Sequence, residues 1–217
     1  MLAYRRPAIG LTALLLAGCS SFEEPSGSLT AAHGNPASTG LRQSVSPTPH
    51  LSAFRPAHAP RGFAAVCADY PWACSSDAAG TVTSDEEILA LARRVNGRVN
   101  RRVRPLSDAE QFGVPERWTL PLSGAGDCED YVLLKLKLMI EAGVPADRLF
   151  MAQVMPRDFS QHVVLVVRTA AGDYVLDNLR PGIRLWHKTG YAFLKMQNRD
   201  DAGRWDVVLL GPRTSRY

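Results

Sequence analysis

The chain has no apolar run long enough to remain in a bilayer as a helix. The stretch from Ala8 to Leu16 falls well short of the roughly 20 residues that a span requires. Internal repeats are absent. No nucleic-acid motif accompanies the arginines at 93, 94, 98, 101, 102 and 104. A solvated helix face accounts for them, and nucleic acid is not an expected partner. An EF-hand-like ligand pattern is missing too. His33, His50 and His58 have no ligand spacing and read as solvated bystanders. What remains is ordinary for a soluble protein: 217 residues, 46% hydrophobic and 21% charged, with a formal net charge of +4. Once the tails are set aside, one domain of roughly 150 residues is left, enough to bury a core.

The N-terminus reads as a targeting signal over residues 1–18. Arg5 and Arg6 precede the apolar stretch, and Leu16-Ala17-Gly18-Cys19 ends it. This ending has the pattern of a bacterial lipobox, which favours lipidation of Cys19 over a plain secretory signal. Ser20 after the cysteine suggests anchoring at the outer membrane, on its periplasmic side. Residues 19–61 are rich in Ser, Pro, Ala and Gly and read as a flexible tether. About 40 residues of coil span on the order of 35 Å. The folded domain is expected over residues 62–211, with a short tail at 212–217.

Cys67 and Cys74 flank Ala-Asp-Tyr-Pro-Trp-Ala. On one straight helix they would stand about 10 Å apart, out of disulfide reach. Pro71 breaks such a helix, and an exported chain permits bridges. A bridge is favoured over two separate buried thiols. Cys128 is then left as an unpaired thiol, which in an exported protein marks reactivity.

Ser84-Asp85-Glu86-Glu87 opens a helix as a capping box. Ile88, Leu91, Ala92, Val95, Val99 and Val103 recur at helical spacing until Pro105 stops it. Residues 111–124 read as loop. A second helix, over about Cys128 to Ala142, is apolar round most of its circumference, so it belongs in the core. Strands are expected at 149–154, 162–168 and 174–177, the last two as a hairpin, with two more near Met196 and at 205–209. Helices followed by a mostly antiparallel sheet make an α+β domain.

Chemistry concentrates in three places. Cys128 opens the core helix, where free N–H groups and the macrodipole favour thiolate. His162 begins one hairpin strand, and Asp177 ends the other. Antiparallel pairing brings these to the same sheet end. A turn near Gly172 leaves Asp177 a few residues from opposite His162, so a bulge or slip is expected. Nucleophile, base and orienter are the parts of a thiol hydrolase. Taken singly, each has a plainer reading: a small buried hydrophobe, a strand-end histidine, a turn aspartate. Asp127, Glu129 and Asp130 crowd the sulfur with like charge. Either a cation such as calcium offsets them or some of them turn to solvent. Asp127 also suits the N-cap.

The set Gly126-Asp127-Cys128-Glu129-Asp130-Tyr131, His162-Val163-Val164-Leu165 and Leu176-Asp177-Asn178 resembles the bacterial transglutaminase-like cysteine proteinases. The similarity extends to Val95-Asn96, Val99-Asn100, 108–115, 118–121 and the Cys67/Cys74 pair. It implies a papain-like, transglutaminase-like core with a Cys-His-Asp triad at Cys128, His162 and Asp177. It also implies calcium at Asp127, Glu129 and Asp130. Adhesin-releasing members cut a large surface protein and are sequestered by a membrane receptor for cyclic-di-GMP. From this chain the resemblance predicts a periplasmic thiol protease with a protein substrate. Two other readings stand beside it, a peptidoglycan stem-peptide amide hydrolase or transferase and a catalytically silent binding domain.

Overall fold

A computed structural model describes residues 49–158 and 160–211. The expected signal peptide, Cys19, the first thirty tether residues and the tail 212–217 lie outside the described residues.

The first long helix forms where its cap and apolar spacing place it. The Ser84 hydroxyl accepts from the Glu87 N–H at 3.4 Å. Helix α2 then runs over Asp85–Arg102, after a short α1 at Val66–Asp69. Ile88, Ala92, Val95 and Val99 form its buried stripe. Asp85, Glu86 and Glu87 lie in its first turn and Arg101 and Arg102 in its last, each favourable to the macrodipole. Val103 turns extended ahead of Pro105. Helix α4, Cys128–Glu141, buries Tyr131, Val132, Leu133, Leu136 and Met139. Gly143 ends it at φ +90°, a backbone conformation costly for other residues.

The sheet has seven strands, all antiparallel, in the order β1-β9-β8-β4-β5-β6-β7. They are β1 Arg55–Ala57, β4 Leu149–Met155, β5 His162–Thr169, β6 Gly172–Leu176, β7 Ile183–Leu185, β8 Ala192–Gln197 and β9 Trp205–Leu210. A separate parallel pair joins β2 (Arg104–Pro105) to β3 (Ala125–Gly126). Alternation divides the sheet into two cores. Met151, Val163, Leu165, Val167, Leu176 and Trp205 face α2 and α4. Phe150, Ala152, Val164, Val166 and Phe193 pack on the other side against Trp186, Tyr191 and Leu51. The domain is α+β, as its element order implies.

Three features differ from the sequence reading. Residues 111–124 are preceded and partly overlapped by α3, Asp108–Phe112, which starts with a complete Ser107/Glu110 capping box. Five residues are too few to show a period. The chain assigned to tether is folded well before residue 62. β1 pairs with Trp205–Val207, Leu51 is buried in the second core, and His50 Nε2 lies 2.8 Å from the Thr169 carbonyl. Pairing through backbone groups leaves no apolar pattern to read, and Pro56 is tolerated because β1 is an edge strand. His50 is therefore a structural contact rather than a bystander. The third difference is β7, which closes the far edge.

Cys67 and Cys74 are bridged, with Cα atoms 5.4 Å apart. Tyr70 leaves helical geometry at φ −136° and ψ 73°, and Pro71 starts a new turn, so the chain folds back as the proline predicts.

Because Leu51 is sealed into the second core, Leu51→Ala should destabilise the domain by about 2–5 kcal/mol. Urea unfolding measures this. A tether residue would show no change.

Candidate active site

Two packing relations set the site. α4 lies along β5 and against α2, which carries the helix tip to the end of the sheet where β5 begins. β5 and β6 pair from Thr169↔Gly172 to Leu165↔Leu176 without a register shift. The ladder stops there, and Asp177 follows as the chain leaves the sheet.

His162 Nε2 lies 2.9 Å from Asp177 Oδ1, and both side chains are 4% exposed. Neither a bulge nor a slip is needed: Asp177 reaches His162 diagonally past the last ladder pair. Asp177 is held on every side. Oδ1 accepts from the Leu179 N–H at 2.9 Å, and Oδ2 accepts from the Tyr191 hydroxyl at 2.7 Å. The Asn100 amide donates to the Asp177 carbonyl at 2.8 Å, and Asn96 donates to the Gly182 carbonyl at 3.3 Å. The Tyr191 ring stands edge-on to His162, with centroids 6.1 Å apart. Burial works to raise the Asp177 carboxyl, but the His162 and Tyr191 hydrogen bonds prevail and hold it below the usual carboxylate range. The carboxylate is thus ionised and aims at one ring nitrogen, which leaves Nδ1 for a reaction partner.

Cys128 and His162 line one cleft of about 310 Å³, walled by Ser107, Gly126, Asn178 and Leu179. Among the described residues Cys128 is the free cysteine. Its Sγ donates to Glu129 Oε2 at 3.1 Å. Burial pushes the thiol well above its ordinary range, the Glu129 carboxylate adds to the push, and a backbone bond from Val163 opposes it. The expectation of a dipole-favoured thiolate is corrected here. At this helix tip desolvation outweighs the macrodipole, and burial beside Asp127 pushes the Glu129 carboxyl itself up to about 10.

The acidic residues divide differently from the expected set of Asp127, Glu129 and Asp130. Asp108, Asp127 and Asp130 each bring a carboxylate oxygen to within 4.8 Å of the others. Glu129 is not one of that trio: its Oε2 accepts from the sulfur, while its carboxyl also interacts with Asp127. Asp127 sits at the N-cap yet makes no cap bond; its Oδ2 accepts from the Asp108 N–H instead, at 3.3 Å. Asp130 Oδ1 accepts from the Thr119 N–H at 2.8 Å, and Asp108 Oδ2 accepts from the Arg117 N–H. One oxygen on each residue is left buried with no donor: Asp108 Oδ1, Asp127 Oδ1 and Asp130 Oδ2. Burial, with Asp127 beside it, raises Asp130 to about 7. It raises Asp108 as well. A side chain at Gly126 would collide with Asp130 Oδ2, so the glycine keeps this group intact. Three clustered carboxyls, each with one buried oxygen that receives no hydrogen bond, fit a hard divalent cation.

Asp108 was quoted in the sequence only as part of a resemblance. The capping box at Ser107/Glu110 was the signal for its position, since it fixes the helix that presents Asp108. Tyr191 had no sequence signal. Among the described residues no helix is long and apolar enough to cross a membrane.

The model of the bacterial transglutaminase-like cysteine proteinases matches residues 53–211, and the chain belongs to that family of cysteine peptidases. Its start at residue 53 takes in β1. Calcium-bound LapG of Legionella pneumophila is similar at 19% identity, over 58% of this chain and 72% of that one, with a TM-score of 0.48. The EGTA-treated form is similar at 21%, over 58% and 73%, with a TM-score of 0.46. No curated protein matches.

Tyr191→Phe removes a donor from the ionised Asp177 and should cost about 1–3 kcal/mol at pH 7. Because Asp177 is depressed in the folded state, its contribution exists at neutral pH and is lost on acidification. The difference from wild type should therefore shrink below about pH 4, as read by urea unfolding across pH.

Proposed function

We propose that this bacterial transglutaminase-like cysteine proteinase cuts a protein substrate through an acyl-enzyme on Cys128, with His162 and Asp177 completing a catalytic triad. The observation that carries the reading is the buried His162–Asp177 bond of 2.9 Å at the cleft into which Cys128 opens. A base so oriented has little purpose without a proton to move.

The steps follow from the groups present. His162 Nδ1 takes the Cys128 thiol proton as the sulfur attacks the scissile carbonyl. The oxyanion is stabilised by N–H groups at the tip of α4, whose first turn leaves donors without helical acceptors. The imidazolium, steadied by Asp177, then protonates the leaving amine, and the C–N bond breaks to give a thioester. Water enters, gives a proton to His162 and adds to the thioester. Collapse of that adduct returns the proton to sulfur and frees the acid.

The resting thiol is strongly protonated, so the acidic neighbours must be answered. Asp108, Asp127 and Asp130 would hold calcium through their orphaned oxygens, and calcium there supplies positive charge beside the sulfur. The sequence pattern further supports a periplasmic, lipid-anchored enzyme at the outer membrane through Cys19. On the family resemblance, we propose a cell-surface adhesin as its substrate and a membrane receptor as its regulator.

The test is cleavage of purified candidate surface proteins, followed by gel and mass spectrometry. Cys128→Ala should abolish cleavage while keeping the wild-type melting temperature. EGTA should reduce turnover, and calcium should raise the melting temperature of wild type but not of Asp108→Asn. Undiminished cleavage by Cys128→Ala would remove the thiol mechanism. A calcium-insensitive melting temperature would remove the metal.

A further inference from the structure

β5 begins beside the candidate nucleophile. Val163 lies in the core against which Cys128 packs, and its N–H reaches the sulfur. From Val163 one row of directly paired residues crosses the sheet: Gln153 on β4, Lys195 on β8, Val207 on β9 and Arg55 on β1. Directly opposed residues share a face. For this row it is the face that carries α4, since Val163 belongs to that core. At the usual strand spacing Lys195 stands about 10 Å from β5, and Arg55 about 19 Å.

A groove of about 690 Å³ lies over the outer part of the row. Its wall is formed by Arg61 and Glu116. The Trp118 indole ties them together, donating to the Arg61 carbonyl at 2.9 Å and to Glu116 at 3.2 Å. Gly62 allows this approach, because a side chain there would collide with Trp118 and Glu116. Gln161 also lines the groove, and the next residue, His162, lines the candidate cleft. The two depressions therefore share a wall.

Backbone and charge both separate this groove from an ordinary solvated surface. The pairing of β8 skips Leu194 on each side, and Leu209 is held at φ +45°, a conformation that costs a residue with a side chain. Both leucines line the groove. Bulges of this kind re-aim side chains and are common next to active sites. Arg55, Arg61 and Lys195 face a single acid, Glu116. Among the described residues neither arginine forms a salt bridge. Lys195 gives one of its three donors to the His58 carbonyl, at 2.8 Å. A charge that guards an edge strand would account for Arg55 alone. It does not account for Lys195, which stands partly buried on an inner strand.

We infer that this groove is a docking site for the substrate, taking an extended acidic segment that flanks the bond to be cut. The inference rests on the protease reading above and adds a substrate class to it. The leucines suit the carbon skeleton of an extended chain, and the three cations suit its carboxylates. Such a chain advances about 3.3–3.6 Å per residue. Lys195 would then meet a side chain about three residues from the scissile bond, and Arg55 one about six residues away.

The test uses the full chain as Cys128→Ala in calcium-containing buffer, so that nothing is cut. Labelled peptides of about fourteen residues are long enough to pass the cleft and fill the groove. They share one neutral background and carry two glutamates, two lysines or neither, with the charges three residues apart. Fluorescence anisotropy at low salt should show the glutamate peptide binding about fivefold tighter than the lysine peptide, or better. Amide shifts in NMR should fall on Gln153, Lys195 and Val207. Arg55→Glu with Arg61→Glu should invert the preference and keep the melting temperature, because both side chains are exposed. Arg94→Glu with Arg98→Glu makes the same change in net charge on α2, outside the groove, and should leave the preference as it was.

Equal binding of the glutamate and lysine peptides would overturn the inference. So would an equal loss of preference in the α2 variant, which would make net charge the cause. Binding to phosphatidylglycerol vesicles with no binding to either peptide would assign the groove to a membrane surface, and would overturn it too. Should the double glutamate variant fail to fold, Arg55→Gln with Arg61→Gln must abolish the preference, and an intact preference there sinks the idea. No outcome depends on turnover. The triad reading stands or falls separately, on cleavage by Cys128→Ala.

Discussion

The geometry of the candidate site hangs on a hairpin that stops pairing before Asp177. β5 and β6 keep one register to Leu165↔Leu176, which would set Asp177 opposite Val164 and not His162. Contact with His162 requires the chain after Leu176 to be held at one angle while its side chain crosses diagonally. Cross-strand diagonal neighbours are within reach of long side chains only, and aspartate is short. That explains how much of the surrounding structure converges on residues 177–182. Asn96 and Asn100 bind their carbonyls from α2, Tyr191 binds Asp177 from the segment before β8, and Leu179 turns its own N–H back. α2 is consequently more than a cover for the sheet. Its apolar stripe docks it, and the amides beside that stripe fix the orienting carboxylate.

At Cys128, the other end of the proposed triad, electrostatic effects oppose one another, and their magnitudes decide the resting state. A helix N-terminus is worth about 0.3–1 kcal/mol to an anion at exposed sites. Desolvation of a buried thiolate, with the Glu129 carboxyl 3.1 Å away, is larger and has the opposite sign. Cys128 therefore rests as a thiol. Its reactivity must be gained when the imidazole takes the proton, or when the neighbouring negative charge is compensated. The three orphaned aspartate oxygens are the place where compensation can occur without disturbing the cleft, because the bonds from Thr119, Arg117 and Asp108 already fix their other oxygens.

The parts of this molecule legible in the sequence are those where a local rule acts alone. Ser84 caps α2, the apolar circumference of Val132, Leu133 and Leu136 announces a core helix, and Gly172 closes a hairpin. The order Cys128, His162, Asp177 was legible because helix tips and strand ends are local features that topology brings together. What escaped depends on partners distant in sequence. β1 has no apolar pattern, since it is stabilised by backbone pairing with β9. Asp108 lies nineteen residues before Asp127 in a helix too short to show a period. Glu129 looked equivalent to its neighbours in one dimension, but it bonds the sulfur and lies outside the Asp108, Asp127 and Asp130 trio. Lys135 looked like an interruption in an apolar helix. In three dimensions it is as buried as the leucines around it.

Buried polar groups without partners usually lower stability by about 1–3 kcal/mol each, and this domain keeps several within a few helical turns. The orphaned aspartate oxygens lie at the start of α4, and the unpaired ammonium of Lys135 lies two turns in. A core built for stability alone would replace Lys135 with an apolar side chain and would not gather carboxylates at Asp108, Asp127 and Asp130. That the fold tolerates both is understandable because the remaining core is large and well layered, with two apolar sheets of contacts on either face of seven strands. Stability gained there offsets the charges kept beside the cleft. The placement of those charges follows α4, since one rigid helix carries the thiol at its tip, Asp130 of the acidic cluster two residues on, and the lysine beyond. Rigidity along that helix fixes the spacing between anion, nucleophile and cation more firmly than three separate loops could.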